Sequence, residues 1–296
     1  MNDAQTRINE FLNQGQELVS SVADAGRVAA RLLPKYQLAP TAKQVVADHV
    51  LHNAAGEVDD VATIPLAEIW LRIAIDWQQL SEPSLRTALG LLRTGTQRYN
   101  RLEDRLLFLG QSNPAAGPPG PPFLLNPASQ PLPPEQRVDR GSENNGLLDV
   151  PFIRGYLNSV YDSVRAAHDR LTGNGIAGPF GIVMGAELAD QADRTQAGFH
   201  ESARKRIETL LGTEVLRSTV LADRTAILLG GAQAGNAQPS DLGVPPSGPV
   251  DRAVALEPEL RFLGNTDNQG RYEFWIVGGL ALRLKDSWGV IKILFV

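Results

Sequence analysis

Cysteine is absent from this 296-residue chain, which removes any disulfide framework, thiolate metal site or cysteine nucleophile and fits a reducing compartment. Histidine is scarce at four, methionine at two, and aromatic residues make up only 6%. No stretch reaches the ~18 uninterrupted apolar residues that a membrane-spanning helix needs. The opening Met1-Asn-Asp-Ala-Gln-Thr-Arg also lacks a basic segment followed by an apolar one. A cytoplasmic protein without membrane contact is expected. Positive charge is the minority sign: 28 Lys and Arg stand against 33 Asp and Glu, a net charge of -5 with a pI near 5.5. That balance argues against neutralising phosphates by bulk charge, so nucleic acid is not an expected partner. The chain also has no Gly-x-Ser-x-Gly elbow, Walker loop or His-Glu-x-x-His.

What is there is a 43% hydrophobic chain, long enough for a sizeable core. Ile8, Phe11, Leu12, Leu18, Val19, Val22, Ala29, Leu32 and Leu33 recur at three- and four-residue spacing. They predict an amphipathic helix interrupted at Gly26 and stopped by Pro34. Over 44–77 the period shortens. Val45, Val46 and Val50 precede a polar turn at 53–60, and Leu66, Ile69, Leu71, Ile73 and Ile75 mark a long strand ending near Trp77, together a projecting β-hairpin. From 82 to 109, Leu85, Leu89, Leu92, Tyr99, Leu102 and Leu106 share a helical face, with Ser81 as the expected N-cap and Gly110 as terminator.

Nine prolines between 112 and 140 predict an extended surface loop. Pro151 is expected in the first turn of a helix presenting Ile153, Tyr156, Leu157, Val160, Tyr161, Val164 and Leu171. There follow a strand at 180–184, a helix at 201–211, one or two strands over 215–229 and a second Gly/Pro-rich loop at 231–249. Strands are expected last at 253–256, 272–277, 280–284 and 290–296, with a turn at 264–270. An α+β architecture results.

Candidate chemistry is thin. Gly173-Asn-Gly175-Ile-Ala-Gly178 matches GxGxxG by letter, but it follows a helix and enters a strand, the reverse of the context that aims amides at a pyrophosphate. His49 and His52 fall on opposite faces of a strand and read as surface residues rather than metal ligands. Glu103 and Asp104 are adjacent on a helix, so their side chains diverge by about 100° and do not form a proton-sharing dyad. With Arg105 they read as a salt-bridged helix end near a subunit contact. Asp267-Asn-Gln-Gly270 lacks the alternating acids of a calcium loop and reads as a turn. No catalytic residue, metal site or cofactor is assigned, and an enzyme is not expected.

The order of elements carries a resemblance. An N-terminal helix is followed by a hairpin containing Ile64-Pro-Leu-Ala-Glu-Ile-Trp-Leu-Arg72 and a long helix closing on Leu102-Glu-Asp-Arg-Leu-Leu-Phe-Leu-Gly110. After the Pro-rich loop come Gly178-Pro179-Phe180, Arg204-Lys-Arg-Ile-Glu-Thr-Leu-Leu-Gly212 and closing strands. Over about residues 8–296 this resembles an encapsulin, the nanocompartment shell protein that shares the HK97-type fold of phage major capsid proteins. The resemblance implies an N-terminal arm over 1–43 and an extended loop over 44–77 that clasps neighbouring subunits. It implies a peripheral domain from 78–150 and 250–296, and an axial domain with its Gly/Pro-rich loop over 151–249.

It also implies an icosahedral homo-oligomer enclosing a cargo enzyme, ferritin-like or a dye-decolourising peroxidase, held by a short targeting peptide. Ala197, Gly198, Phe199, His200 and Glu201 align with the fivefold pore segment, where His200 and Glu201 would form a ring of titratable charge. Ile8, Phe11, Leu12, Ile291, Ile293 and Phe295 are the implied walls of the cargo-peptide groove. The usual Ser/Thr-Phe-Thr-Phe of the closing strands is replaced here by Gly278-Gly279-Leu-Ala-Leu-Arg. A phage or prophage capsid packaging DNA is the alternative, and a soluble hydrolase or binding module the next.

Overall fold

The computed structural model describes residues 3–50, 58–110, 136–139, 147, 152–195, 200–232, 248–265 and 271–296. The N-terminal periodicity yields α1 (Asp3–Gly26) and α2 (Val28–Leu32). They part at Gly26, where a β-carbon would run into the Asn100 side chain, so only glycine lets the two helices approach. After the short β1 (Lys35–Gln37), β2 (Gln44–Val50) and β3 (Val58–Pro65) pair with each other as a two-stranded ribbon. The apolar strand expected to complete that hairpin exists as β4 (Ala67–Asp76), but it joins a five-stranded sheet instead. Its burial alternates, with Ala67, Ile69, Leu71, Ile73 and Ile75 inward, because one face covers a helical layer and the other does not.

Ser81 does not cap the long helix. It ends a five-residue helix, α3 (Trp77–Ser81), whose start is fixed by Gln79 Oε1 accepting from the Asp76 amide at 3.0 Å. The long helix α4 (Arg86–Leu109) starts from Leu85, which is fully buried in the left-handed region at φ 51°. The cap is supplied by the Glu82 carboxylate, which accepts from the Thr87 amide at 3.0 Å. A short edge strand, β5 (Gln136–Asp139), lies inside the Pro-rich stretch read as loop and pairs with β4, and none of its four residues is proline.

Pro151 lies outside the described residues, and the helix expected from it is not found directly after it. Residues 152–155 form β6 (Phe152–Gly155), parallel to the last strand, and a 3-10 turn at Leu157–Ser159 leads into α5 (Val160–Gly173). Ile153, Tyr156 and Leu157 therefore precede the helix. Gly155 explains the strand: a β-carbon there would clash with Ile293 and Phe295, so close parallel pairing needs this residue. Next come β7 (Phe180–Gly185), a helix the sequence reading missed, α6 (Ala186–Ala192), then α7 (Ala203–Leu211), β8 (Val215–Ser218) and β9 (Thr225–Gly230). The closing strands are two long ones, β10 (Val250–Asn265) and β11 (Arg271–Leu284), followed by β12 (Val290–Phe295). Pro258 does not end β10, because the register shifts between Leu256 and Glu259 and absorbs it in an irregularity. Gly278-Gly279 does not break β11, since Gly278 lies under Tyr99.

The first sheet runs β1-β10-β11-β4-β5 and the second β6-β12-β9-β7-β8. The last strand was expected with β10 and β11, but it pairs between β6 and β9 in the second sheet. There Ile291, Ile293 and Phe295 point to one core. Every residue of β7 and β9 is buried, and their alternation shows why. Ile182, Met184, Ala226 and Leu228 face α5, α6 and α7, whereas Val183, Ile227 and Leu229 face α2 and the core of the first sheet. A strand covered on both sides reads as an unbroken apolar run.

Candidate functional site

The β2–β3 ribbon stands apart from both five-stranded sheets. Its root is fixed by Val45, buried with Leu66, Ala253, Ala255 and Ala281, against which Ile64 packs. Arg283 Nη1 donates to the Val46 carbonyl at 3.3 Å. That guanidinium is itself held by Asp251, Nε to Oδ1 at 2.7 Å and Nη2 to Oδ2 at 2.6 Å, and it lies 4.0 Å over the Tyr36 ring. Lys285 Nζ adds a second cation at 3.1 Å from Asp251. Arg283 and Asp251 are both buried, so the bidentate pair fixes where the ribbon leaves the body. Neither ribbon strand belongs to a larger sheet, so among the described residues each presents an outer edge with no strand beside it. Val46 stays 53% exposed.

A second ionic cluster locks the arm to the spine. Arg27 Nη1 donates to Glu257 Oε2 at 2.6 Å and lies 3.5 Å from Glu103, and Nη2 meets Asp24 at 3.0 Å. Glu257 also takes Lys35 at 2.6 Å. Burial disfavours the Glu257 anion, but Arg27 and Arg252 overcome it and hold its pKa at about 2. Asp104 accepts from the Ala29 amide at 2.8 Å and the Val28 amide at 3.1 Å, capping α2 from another helix. Burial pushes its pKa up to about 7 in spite of those bonds. Burial likewise raises Glu103 and Tyr99. Glu103 and Asp104 are therefore not an exposed helix end at a subunit contact. They diverge as expected, yet inward, each to a partner within the subunit.

The segment expected to line a pore is closed at its root by a bridge between Thr195 and Ser202. Ala197, Gly198 and Phe199 lie outside the described residues. His200 and Glu201 are exposed just ahead of α7, whose N-cap Ser202 accepts from the Lys205 amide at 3.3 Å. Arg204 braces this root through Glu208 at 3.1 Å, Asp193 at 3.4 Å and the Val215 carbonyl at 3.0 Å. The expected groove residues are divided between two cores. Ile8 and Phe11 are buried in the core of the first sheet, Phe11 with its ring 4.8 Å from Phe274, and Leu12 is half-buried beside them. Ile291, Ile293 and Phe295 are buried under α5, α6 and α7. One wall is not formed from both sets. Sequence reasoning missed Arg27, Asp251, Glu257 and Arg283, whose partners lie far away in the chain.

No family model matches the sequence, and no curated protein matches it. Solved structures do. A virus-like particle from Pyrococcus furiosus superposes with a TM-score of 0.64 over 96% of this chain and 99% of its own, at 10% identity. The fold is of the HK97 capsid type. The SrpI encapsulin of Synechococcus elongatus matches at 0.55, with 12% identity over 90% of this chain and 86% of its own. A phage-related protein from Bordetella bronchiseptica matches at 0.58, with 9% identity over 94% and 96%. Particle, encapsulin and phage proteins thus share the HK97-type topology with this chain. Among the described residues no helix is long and apolar enough to cross a membrane.

Proposed function

We propose that this chain is a non-enzymatic shell subunit that self-assembles into an icosahedral cytoplasmic compartment around a cargo enzyme. The ribbon of β2 and β3 carries the reading: its root is pinned by a buried ion pair, while its edges are unpaired in the described chain. A neighbouring subunit that accepts the ribbon would complete hydrogen bonding and burial that one subunit leaves open. The nearly full-length match to a particle-forming protein supports it. In this reading the first sheet is peripheral and the second axial. Segment 197–201 lines an axial pore in which His200 and Glu201 set a charged ring. The cargo, a ferritin-like protein or dye-decolourising peroxidase, is held by a short apolar peptide against the inner surface near α1, where Leu12 remains accessible.

A phage or prophage capsid is the second reading, favoured by phage neighbours that match as well as the encapsulin does, such as a structure from Mycobacterium phage Cain at a TM-score of 0.57. Size-exclusion chromatography followed by negative-stain electron microscopy of the recombinant chain tests the shell. Uniform hollow particles are expected, and a monomer or small oligomer would overturn the proposal. The contents of particles from the native host decide between the readings: a co-purifying enzyme supports the compartment, and nuclease-protected DNA supports the capsid.

A further inference from the structure

One face of the second sheet is only partly covered. Its inner strands bury Val183, Ile227 and Leu229 against α2 and the core of the first sheet, but β6 and the end of β12 extend past that cover. Strand parity sorts their side chains. Ile153, Ile293 and Phe295 pack towards the helices, so Phe152, Arg154, Tyr156, Lys292, Leu294 and Val296 turn to the opposite face. Phe152 is 54% exposed, Tyr156 58% and Val296 64%, which puts three of the seven exposed large apolar side chains, among the described residues, at one corner. They are neighbours: Lys292 pairs in register with Phe152, its Nζ 6.0 Å from the ring, and the Val296 amide donates to the Gly155 carbonyl at 3.1 Å.

The backbone at this corner is open as well. Gly155 hydrogen-bonds towards β12, so by alternation the amides and carbonyls of Phe152 and Arg154 point outward, and among the described residues no strand lies on that side. The next outward amide, that of Tyr156, is capped by Ser163 Oγ at 3.1 Å. The opposite edge of the same sheet is closed by the subunit's own side chains. At Val215 of β8 the amide donates to Glu208 at 3.3 Å and the carbonyl accepts from Arg204 at 3.0 Å. An open edge beside an exposed apolar face is where a further strand adds to a sheet.

We propose that β6 receives the ribbon of a neighbouring copy, with β3 added to its outer edge. The proposal rests on the shell reading and names the acceptor which that reading leaves open. Charge selects the occupant. Residues 152–156 and 290–296 hold Arg154 and Lys292 and no acid, whereas residues 44–65 hold Asp48, Glu57, Asp59 and Asp60 and neither lysine nor arginine. Opposite charges on facing strands stabilise their pairing and like charges oppose it, so two β6 edges repel where ribbon and edge attract. β3 has eight residues, enough to span the four of β6, and among the described residues no strand lies on its outer side. One contact between copies closes both open edges.

The chain has no cysteine, so thiol cross-linking tests the contact without background. Particles of an Asp60→Cys, Arg154→Cys double variant, treated with a bismaleimide, should run as covalent multimers in denaturing gels. Each single variant, and a control joining Asp60→Cys to Arg217→Cys on the opposite edge of the sheet, should run as monomers. Monomers from the double variant in intact particles would overturn the proposal, as would multimers of the control or of Asp60→Cys alone, in which ribbons meet each other. Charge reversal gives a second measurement: Arg154→Glu should lower particle yield about tenfold, and Asp60→Lys in the same chain should restore most of it. Equal yields, or no restoration, would also overturn it. Electron microscopy of the parent separates the two levels. Absence of parent particles removes the shell reading and this acceptor with it, whereas particles without the cross-link remove the acceptor alone.

Discussion

Asp104 shows how a single carboxylate couples two helices and makes stability depend on pH. Its pKa rises from an ordinary 3.8 to about 7 in the folded chain, so the stability it contributes is full below pH 3.8 and is lost as pH rises through 7. The linkage is worth at most about 4 kcal/mol. Glu257, held at about 2, works in the opposite sense and only below its ordinary 4.5. Asp104→Asn keeps an acceptor for the Ala29 amide but cannot ionise. Urea midpoints of dispersed subunits should fall between pH 4 and 7 in the parent and fall less steeply in this variant, where the raised Glu103 still acts in the same sense. Equal slopes would refute the assignment. Gly278 makes a steric counterpart, because a β-carbon there would fall on the Tyr99 hydroxyl oxygen, which is buried with no hydrogen-bond partner among the described residues. Gly278→Ala should cost about 1–3 kcal/mol. Tyr99→Phe should be mild alone and should recover most of that loss in the double variant, as thermal melting will show.

At the scale of elements, the ribbon and the pore segment carry the functional expectations. Deleting 53–60 should reduce particle yield and thermal stability of particles while leaving the circular dichroism of the subunit nearly unchanged. Unaltered yield would remove the ribbon from assembly. His200→Ala should change the rate at which small charged solutes enter intact particles, as measured by stopped-flow quenching of an enclosed dye, and identical rates would sink the pore. Elements with strong periodicity were legible in the sequence: α1, most of α4, β12, and β7 and β9, whose apolar runs reflect burial on both faces. Elements decided by distant partners were not. β6 exists because Gly155 fits beneath Ile293 and Phe295, and the α4 start depends on Glu82 and a left-handed Leu85. The acids at 103 and 104 were read outward by type. Yet Glu103 lies four residues after Tyr99 and three before Leu106, a spacing that puts it on the inward stripe. The groove expectation suffered the same way, since an apolar side chain reads alike whether it lines a cleft or fills a core.

Across the whole molecule, each of the two sheets is built from strands that are not contiguous in sequence. The chain moves from the first sheet to the second after β5, returns after β9, and moves over again after β11. Any cut that separates the sheets must sever three connections, and β12 then leaves β6 and β9 facing a gap in their sheet. An ordinary pair of domains joined by one linker swings on it as on a hinge. Three covalent crossings at separate points behave more like a bolted plate. Force applied to one side, whether from crowded contents or from neighbours, is shared through backbone rather than borne by packing alone. Such a tile can tilt as a body relative to adjoining tiles, but it resists folding along its own midline, so any swelling of an assembly built from it must be taken up at the seams.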